Sequence, residues 1–544
     1  MSDRPVFTYQ TRLVLDATQA SILDAYAELH GRAERTLFAA LRAGNPVNEL
    51  KREFLPRFGL TARQFNALRV GLDGKIASIK ERRPELIAEA KSRIKKAESV
   101  IAKLSGRAPG SNKLHQKKRR LATLKARCAA MEADQAAGAV RLCFGSKRLF
   151  HAQFDLAANG YASPAAWKAD WQRTRASQFV VLGSGDETAG NQTCQATLAA
   201  NGTLTLRLRL PDALVALGGS KTVNLTGVRF AYGHDQIVAA LTSSQRIHAR
   251  TKDGKATIKR IGTALSYRFL RDDKGWRVFA SVQARSVEKV SSAALGAIGV
   301  DINADHLAVS ETDRFGNLIG AKRMNLSLYG KTQKQAKALV GDVVVAIAAQ
   351  ARNAGKPVVM EVLDFQRKKA QLEAVEPKQA RMLSSFACRQ VATHLKAACY
   401  RVGVEVIEIN PAYTSLIGAV NHAQRHGIST HQGAALAIAR RGLGFSERPP
   451  KRQAIVPVRN GGHVTLALPA RNRAKHVWSY WADVRKKLKA AHVAHLRSGE
   501  ASAPPAPLFS ATRTVCSHRS FVAKSHDANR SQHCSGSVVD DIPW

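Results

Sequence analysis

The chain has 544 residues, of which 45% are hydrophobic, and 84 Lys and Arg against 41 Asp and Glu give it a formal net charge of +43. This length and apolar content exclude a disordered chain and allow two or three packed cores, while the charge favours polyanionic partners, above all nucleic-acid phosphates. No apolar run reaches the roughly 18 residues of a transmembrane helix, the N-terminus lacks a hydrophobic signal stretch and the seven cysteines are scattered, so we expect a cytoplasmic protein with no membrane partner.

The N-terminal third is predicted to be mostly helical. Alternating residues predict a strand over 7–15, and apolar residues at helical spacing predict helices over 17–41, 62–104 and 119–136. The last two would form a hairpin, whose connection and second arm carry seven basic side chains and no acid among them: Lys113, Lys117, Lys118, Arg119, Arg120, Lys125 and Arg127. A solvated face is the usual role of a charge run, but this uncompensated charge favours contact with nucleic acid.

Residues 178–284 change to short β-like segments separated by Gly, Asn and Asp turns. The predicted strands cover residues 179–182, 203–210, 228–232, 236–242 and 276–283. This pattern indicates a β-rich module.

The pattern is most regular from residue 297 onwards. It predicts, in order, strands 297–301, 306–312 and 318–324, helix 331–353, strand 357–362, helix 378–402, strand 404–409 and helix 431–441. Three strands followed by helix, strand, helix, strand and helix is the order of the ribonuclease H-like fold. In that fold, acids from the first and fourth strands and the last helix meet at one edge of the sheet.

Two acids end apolar runs that read as buried strands, Asp301 after 298–300 and Glu361 after 358–360. Such an acid is often a surface or capping residue, but the matching placement of these two favours catalysis. Carboxylates in this arrangement bind hard cations, so we expect Mg²⁺ (or Mn²⁺) as the cofactor, and these ions catalyse the hydrolysis of phosphodiesters.

Other basic and aromatic residues lie near or beyond the last predicted strands. Arg367, Lys368 and Lys369 follow Glu361 closely and suit phosphate contact, with a solvated loop as the alternative. Trp478 and Trp481 lie among basic residues and would either stack on bases or pack in a core, and the three-residue spacing favours the core.

The tail from residue 499 is rich in Ser, Ala, Pro and His and is predicted to be flexible. It contains four possible zinc ligands: Cys516, His518, His533 and Cys534. Their spacing is not that of a standard zinc finger, so we do not expect a zinc site there.

Several segments resemble the RuvC nuclease domain of the transposon-encoded TnpB proteins and the related type V CRISPR effectors. These are Gly299-Val300-Asp301-Ile302-Asn303, Glu361, Asn410-Pro411-Ala412-Tyr413-Thr414-Ser415 and the helix over 429–444. In addition, Phe144-Gly145-Ser146-Lys147 and the region of Trp167 and Trp171 resemble the segment that joins the helical and β parts in one TnpB-related branch. Together these segments cover most of residues 7–450.

The resemblance implies an α+β multidomain protein with a helical recognition lobe, a β-barrel wedge domain and a ribonuclease H-like RuvC nuclease domain. The expected boundaries are a first wedge strand over 1–16, the recognition lobe over 17–177, the wedge over 178–292, the RuvC domain over 293–450, a basic helical extension over 451–498 and the flexible tail over 499–544. The implied activity is RNA-guided cutting of target DNA at a single RuvC site, with guide RNA and target DNA as partners.

The sequence departs from the family pattern in two places. TnpB proteins commonly place a cysteine-based zinc ribbon after the Tyr-Thr-Ser segment, whereas residues 416–430 contain no Cys. The third RuvC motif normally reads Asp-x-Asn-Ala-Ala, and aligning its alanines on Ala434 and Ala435 places His431 at the Asp position and Gly433 at the Asn position.

His431 therefore has three possible interpretations. It would complete the catalytic site beside Asp301 and Glu361, or the missing acid would come from elsewhere, for example Glu408 or the distal pair Asp540 and Asp541. In the third interpretation His431 only caps its helix, and the protein is an RNA-guided DNA-binding repressor with weak or no cleavage. A cut-and-paste transposase would use the same carboxylates without a guide.

Overall fold

The computed structural model describes residues 4–243, 245–250, 256–328, 330–362, 370, 372–374, 385–448, 450, 453–458 and 462–497. The described residues within Met1–Leu86 and Ala130–Ser286 form one compact unit, and those within Ile87–Ala129 and Val287–Ser531 form another. None of the described helices is long and apolar enough to cross a membrane.

The N-terminal part is mostly helical, as predicted. Its elements are β1 (Val6–Arg12), α1 (Ala17–Arg42), α2 (Val47–Phe58), α3 (Ala62–Arg107), α4 (Asn112–Ala136), α5 (Lys147–Ala152) and α6 (Pro164–Arg175). Helix α1 begins at a capping box in which Asp16 and Gln19 satisfy each other's backbone N–H groups. Helices α1, α2 and the first part of α3 enclose an apolar core that includes Leu37, Phe54 and Phe65.

The β-rich module contains β2 (Gln178–Val181), β3 (Cys194–Leu198), β4 (Leu204–Arg209), α7 (Val215–Gly218), β5 (Thr222–Val228), α8 (His234–Thr242), β6 (Gln245–Arg250), β7 (Ala256–Ile261), β8 (Leu265–Asp272) and β9 (Gly275–Gln283). The strands form three sheets, in the orders β1-β9-β8-β2, β3-β4-β5 and β6-β7. In the part of the chain that the structure describes, none of these sheets closes into a barrel, so the predicted β-barrel is corrected to a set of open sheets.

One predicted strand of this module is a helix. Residues 236–242 lie in α8, where the buried residues Ile237 and Ala240 are three positions apart and pack into the core of the module. The apolar run Ile-Val-Ala-Ala-Leu fits either period, and the tertiary contacts select the helix. The strand predicted over 228–232 is also displaced, since only Val228 belongs to β5.

From residue 297 to residue 442 the main elements of the C-terminal part follow the predicted succession of strands and helices. It contains β10 (Ile298–Ile302), β11 (His306–Thr312), β12 (Leu318–Asn325), α9 (Gln333–Ala354), β13 (Val358–Glu361), α10 (Ser385–Arg401), β14 (Val406–Ile409), α11 (Thr414–Ile417), a π-helical turn (Gly418–Ala423), α12 (Thr430–Gly442), β15 (Gln453–Pro457), β16 (His463–Ala467) and α13 (Val477–Arg497). The large sheet has the order β12-β11-β10-β13-β14. Strands β10, β13 and β14 are parallel, and β10, β11 and β12 are antiparallel neighbours.

Apolar side chains on the two faces of the central strands belong to two separate cores. Ile298, Val300 and Met360 pack with residues of α9 and α10, whereas Val359 and Ile409 pack with the Ile438 and Ala439 side of α12. Because successive side chains of a strand point to opposite faces, Asp301 and Glu361 belong to the face covered by α12.

The segment predicted as a basic helical extension contains a two-stranded sheet before its helix. Strands β15 and β16 pair in antiparallel fashion, and α13 packs with them through Tyr480, Trp481 and Val484. The same core includes Leu416 and Val420, so this extension supports the backbone that connects β14 to α12.

Replacing Gly299 by Ala should destabilise the protein by roughly 3 kcal/mol, the upper end of the usual cost of overpacking, because β10 and α12 are in backbone contact there. A Cβ atom at Gly299 would lie 2.0 Å from the carbonyl oxygen of Ala435 and 2.7 Å from the backbone nitrogen of Ala439. Thermal unfolding measures the effect. Gly341→Ala is the matched control, since a Cβ on that helical residue would meet no described atom within 4 Å, and it should be neutral or slightly stabilising. An unchanged Tm for Gly299→Ala would contradict the close packing of α12.

Candidate active site

Asp301 and Glu361 lie side by side at the carboxyl ends of two adjacent parallel strands. The register pairs Gly299 with Val359 and Val300 with Met360, so the next positions are the two acids. Neighbouring strands are about 4.8 Å apart, which places both carboxylates at the same edge and on the same face. Asp301 is 7% exposed although it is an acid. The structure thus brings together the two residues that the sequence singled out.

His431 lies beside Asp301. It is the second residue of α12, and its Nδ1 is 3.3 Å from Oδ2 of Asp301. The same Oδ2 accepts a hydrogen bond of 2.9 Å from the side-chain amide of Asn303. The imidazole ring also meets the buried His306 ring edge-on, with the centroids 4.9 Å apart. His431 is therefore held at the acid edge from two sides, while 42% of its side chain stays exposed.

The structure also tests the other interpretations of His431. The helix cap is Ser429, which accepts from the backbone N–H of Gln432, so capping is not the role of His431. Glu408 cannot replace the missing acid at this edge, since it lies on the opposite face of β14 and pairs with Lys396 of α10 at 2.8 Å. Asp540 and Asp541 lie outside the described residues.

Glu361 is positioned by the segment that follows β14. The hydroxyl of Thr414 hydrogen-bonds to Oε1 of Glu361 and also lies 3.2 Å from the carbonyl oxygen of Pro411. Tyr413, immediately before, adopts a left-handed conformation with φ 64°, which is costly for a residue other than glycine. This turn directs the hydroxyl of Thr414 towards the carboxylate of Glu361. The sequence did not reveal this role, although Tyr413 and Thr414 lie in the segment that resembles RuvC.

Arg441, on the last turn of α12, adds a positive charge to this edge. Its guanidinium donates to the carbonyl oxygen of Asn410, at the end of β14. Burial lowers the pKa of Arg441, whereas Glu361 and Glu447 act to raise it. The negative charge of Glu361 therefore acts on Arg441. Sequence reasoning did not single out Arg441.

A buried ionic cluster anchors the end of α12 to the cysteine-free segment that precedes this helix. Oε1 of Glu447 accepts from Nε of Arg440 at 2.6 Å and lies 3.2 Å from Nε2 of His422, and its Oε2 lies 3.3 Å from the side-chain nitrogen of Asn421. Burial acts to raise the pKa of Glu447, but the hydrogen bonds and electrostatic interactions with His422 and Arg440 outweigh it and lower the pKa to about 2. The cysteine-free segment is therefore tied to α12 by polar side chains.

Glu447→Gln should destabilise the protein at neutral pH by on the order of 3 kcal/mol, because the folded state lowers this pKa from 4.5 to about 2. A lowered pKa stabilises the fold above pH 4.5, and this contribution is lost as the pH falls from 4.5 towards 2. The difference in Tm between wild type and variant should therefore shrink across that range. Glu405→Gln is the control, since Glu405 forms an exposed pair with Lys289, and it should change little. A pH-independent difference would contradict the ionic role of Glu447.

The two carboxylates fit a magnesium ion better than a metal that needs many protein ligands. Among the described residues, no group of three or more His, Cys, Asp or Glu side chains is arranged to hold a metal. Mg²⁺ commonly uses only one or two protein carboxylates and completes its shell with water and substrate phosphates. Asp301 and Glu361 would be its ligands. The cysteines and histidines of the tail lie outside the described residues.

The basic arm of the helical hairpin is only partly available for nucleic acid. Lys113, Lys118 and Arg119 are exposed. Lys117 instead donates to the backbone carbonyl of Glu373, and Arg120 lies 3.4 Å from the carboxylate of the same residue. The other predicted phosphate contacts, Arg367, Lys368 and Lys369, lie outside the described residues.

Glu373 is held mainly by a third basic residue of the hairpin, Arg93. Nε of Arg93 donates to Oε1 of Glu373 at 2.8 Å. Burial acts to raise the pKa of Glu373, but its hydrogen bonds with Arg93 and Arg120 lower it below its usual value. Part of the basic charge in the hairpin therefore has a structural partner.

No family model matches the chain, and no curated protein matches it. Solved structures with partial similarity include T. thermophilus RuvC in complex with Holliday junction substrate, at 16% identity and a TM-score of 0.20, covering 27% of this chain and 90% of that protein. A Cas12f1-sgRNA-target DNA complex matches at 12% identity and a TM-score of 0.19, covering 80% and 99%. A CRISPR-Cas12f ternary complex matches at 9% identity and a TM-score of 0.17, covering 80% and 98%. At these TM-scores the functional assignment depends on the site residues.

Proposed function

We propose that this protein is an RNA-guided DNA endonuclease with a single ribonuclease H-like RuvC site. The observation that carries the proposal is the meeting of Asp301, Glu361 and His431 at one edge of a sheet with the order β12-β11-β10-β13-β14. The net charge of +43 supports a nucleic-acid substrate. The RNA guide is inferred from the resemblance of the site segments and the helical N-terminal part to TnpB proteins.

In this proposal Asp301 and Glu361 hold Mg²⁺ or Mn²⁺, which when bound activates the attacking water and stabilises the leaving oxygen. Asn303 and Thr414 fix the two carboxylates through their hydrogen bonds. Arg441, whose guanidinium lies at the carbonyl of Asn410 after β14, supplies positive charge for the phosphates of the substrate strand.

His431 takes the place of the acid that usually completes such a site. In the neutral tautomer with hydrogen on Nδ1, it donates to Oδ2 of Asp301 and leaves Nε2 as a proton acceptor. The protonated ring would donate from Nε2 to a leaving oxygen. A histidine at this position therefore transfers protons and orients Asp301.

A second candidate function is RNA-guided DNA binding without cleavage, which would repress transcription. The presence of His431 at the position of a third carboxylate favours it, because hard cations prefer oxygen ligands. A cut-and-paste transposase, which needs the same carboxylates but no guide, is the third candidate.

Sequencing the RNA that co-purifies with the full chain separates guided from unguided functions. A guided protein should retain RNA with a constant scaffold and a variable end. Recovery of only random cellular RNA would contradict both guided candidates and favour the transposase. Cleavage by the RNA-bound protein then separates the nuclease from the repressor.

A further inference from the structure

A small cavity of about 240 Å³ lies beside the candidate active site, between the end of α12 and the start of α13. Its wall combines aromatic, amide and charged side chains: Asn410, Arg441, Phe445, Glu447, Trp478 and Trp481. Pockets for drug-sized ligands usually start at roughly 300 Å³. This cavity therefore suits a single flat group better than a large molecule.

The two tryptophans of the cavity have different environments. Trp481 is 2% exposed and packs with Tyr480 and Val484, so it is a core residue, as the sequence spacing favoured. Trp478, on the same helix, is 44% exposed. It contacts Tyr413 and His476 at ring-centroid distances of 6.5 and 5.2 Å, which leaves much of the indole surface available. Packing within the extension therefore does not explain why a large aromatic side chain stands at position 478.

The charges around the cavity suit an anionic ligand. Arg441 lines the cavity, and the guanidinium carbon of Arg485 lies 4.6 Å from the ring centroid of Tyr413. Glu447 also lines the cavity, but Arg440 and His422 engage its carboxylate. The local balance is positive, as phosphate binding requires.

The cavity is connected to the catalytic edge through short steps along the chain. Tyr413, which meets Trp478, precedes Thr414, whose hydroxyl binds Glu361. Arg441, on the wall of the cavity, binds the carbonyl of Asn410 at the end of β14. A strand whose phosphate lay at Asp301 and Glu361 would therefore have a neighbouring nucleotide near Trp478.

We propose that this cavity receives one unpaired base of the DNA strand that enters the nuclease site, with Trp478 as its stacking surface and Arg441 as a phosphate contact. The inference deepens the proposed function and rests on it for the nature of the ligand. An aromatic side chain stacks on any unpaired base, whereas the faces of bases in a duplex are already covered by their neighbours. The cavity would thus select single-stranded over duplex DNA next to the cut.

The test measures base-dependent binding by the RNA-bound protein, in EDTA so that cutting does not interfere. The probes are fluorescein-labelled oligothymidylate and an abasic strand of equal length and charge, compared by anisotropy over a series of salt concentrations. The ratio of the two Kd values removes the phosphate contribution, which both strands share. In wild type the Kd for the abasic strand should be about tenfold higher than the Kd for oligothymidylate.

Trp478→Ala should bring the ratio close to one, and Trp478→Phe should keep most of the preference. Phe315→Ala is the matched control, because Phe315 is a 61% exposed aromatic beside Arg314 and does not line the cavity. It should leave the ratio unchanged.

An unchanged ratio in Trp478→Ala, or an equal loss in Trp478→Phe, overturns the proposal. The base preference is measured in EDTA, without cleavage. A negative result for this inference can therefore be told apart from a protein that does not cut DNA. A protein that prefers bases through Trp478 but never cuts would retain this inference and lose the proposed activity.

Discussion

Asp301→Asn should abolish DNA cutting while the RNA-bound protein stays folded. The substitution keeps the shape of a side chain that is 7% exposed, and its carbonyl oxygen still accepts a hydrogen bond from Asn303 or His431. It removes the negative charge that would hold a divalent cation at the end of β10. Losing several kcal/mol of transition-state stabilisation slows cutting by about a thousandfold or more.

The measurement is the rate of plasmid cutting in Mg²⁺, together with target binding in EDTA. Binding should be retained, because the change affects chemistry and not the guide. Asp342→Asn is the matched control, since Asp342 is an exposed acid on α9 in the same unit. Cutting by Asp301→Asn at the wild-type rate would remove Asp301 from the site.

The second large effect is expected at His431. His431→Ala should slow cutting by about a hundredfold, the lower end of the contribution of a positioned acid or base. The reason is its contact with Asp301 at 3.3 Å, which the alanine side chain cannot make. His431→Asp places a carboxylate where the RuvC motif that this segment resembles has its third acid, and it should cut at least as fast as wild type.

Single-turnover cutting rates of the three proteins check this expectation. His463→Ala is the control, since His463 is an exposed histidine on β16. Equal rates for wild type and His431→Ala would show that His431 takes no part in the chemistry. A wild type that does not cut, with activity appearing only in His431→Asp, would support the repressor.

The sequence was sufficient to predict the main strands and helices from β10 to α12 and the meeting of the two acids there. Continuous apolar runs mark the buried parallel strands, and Asp301 and Glu361 end two of them. Because parallel neighbours in register place equivalent positions together, the spacing of each acid from the start of its strand was enough to align them.

Features that depend on long-range contacts were not predictable in this way. The apolar run in α8 fits a strand or a helix, and its place in the core decides. Whether sheets close into a barrel depends on pairings between distant strands, such as β1 with β9. The spacing of Trp478 and Trp481 did not show that one is buried and the other exposed. For His431 the sequence left three interpretations open, because its contact with Asp301 joins residues 130 positions apart.

RNA-dependent cutting of a matched target tests the central claim most directly. The protein is purified with its RNA, the variable end of that RNA is read, and a plasmid carrying the complementary sequence is incubated with the complex in Mg²⁺. The account predicts cutting or nicking at the matched site, lost when the RNA is digested or the target sequence is scrambled. Equal cutting of matched and scrambled plasmids, or no cutting of either in Mg²⁺ or Mn²⁺, would contradict it.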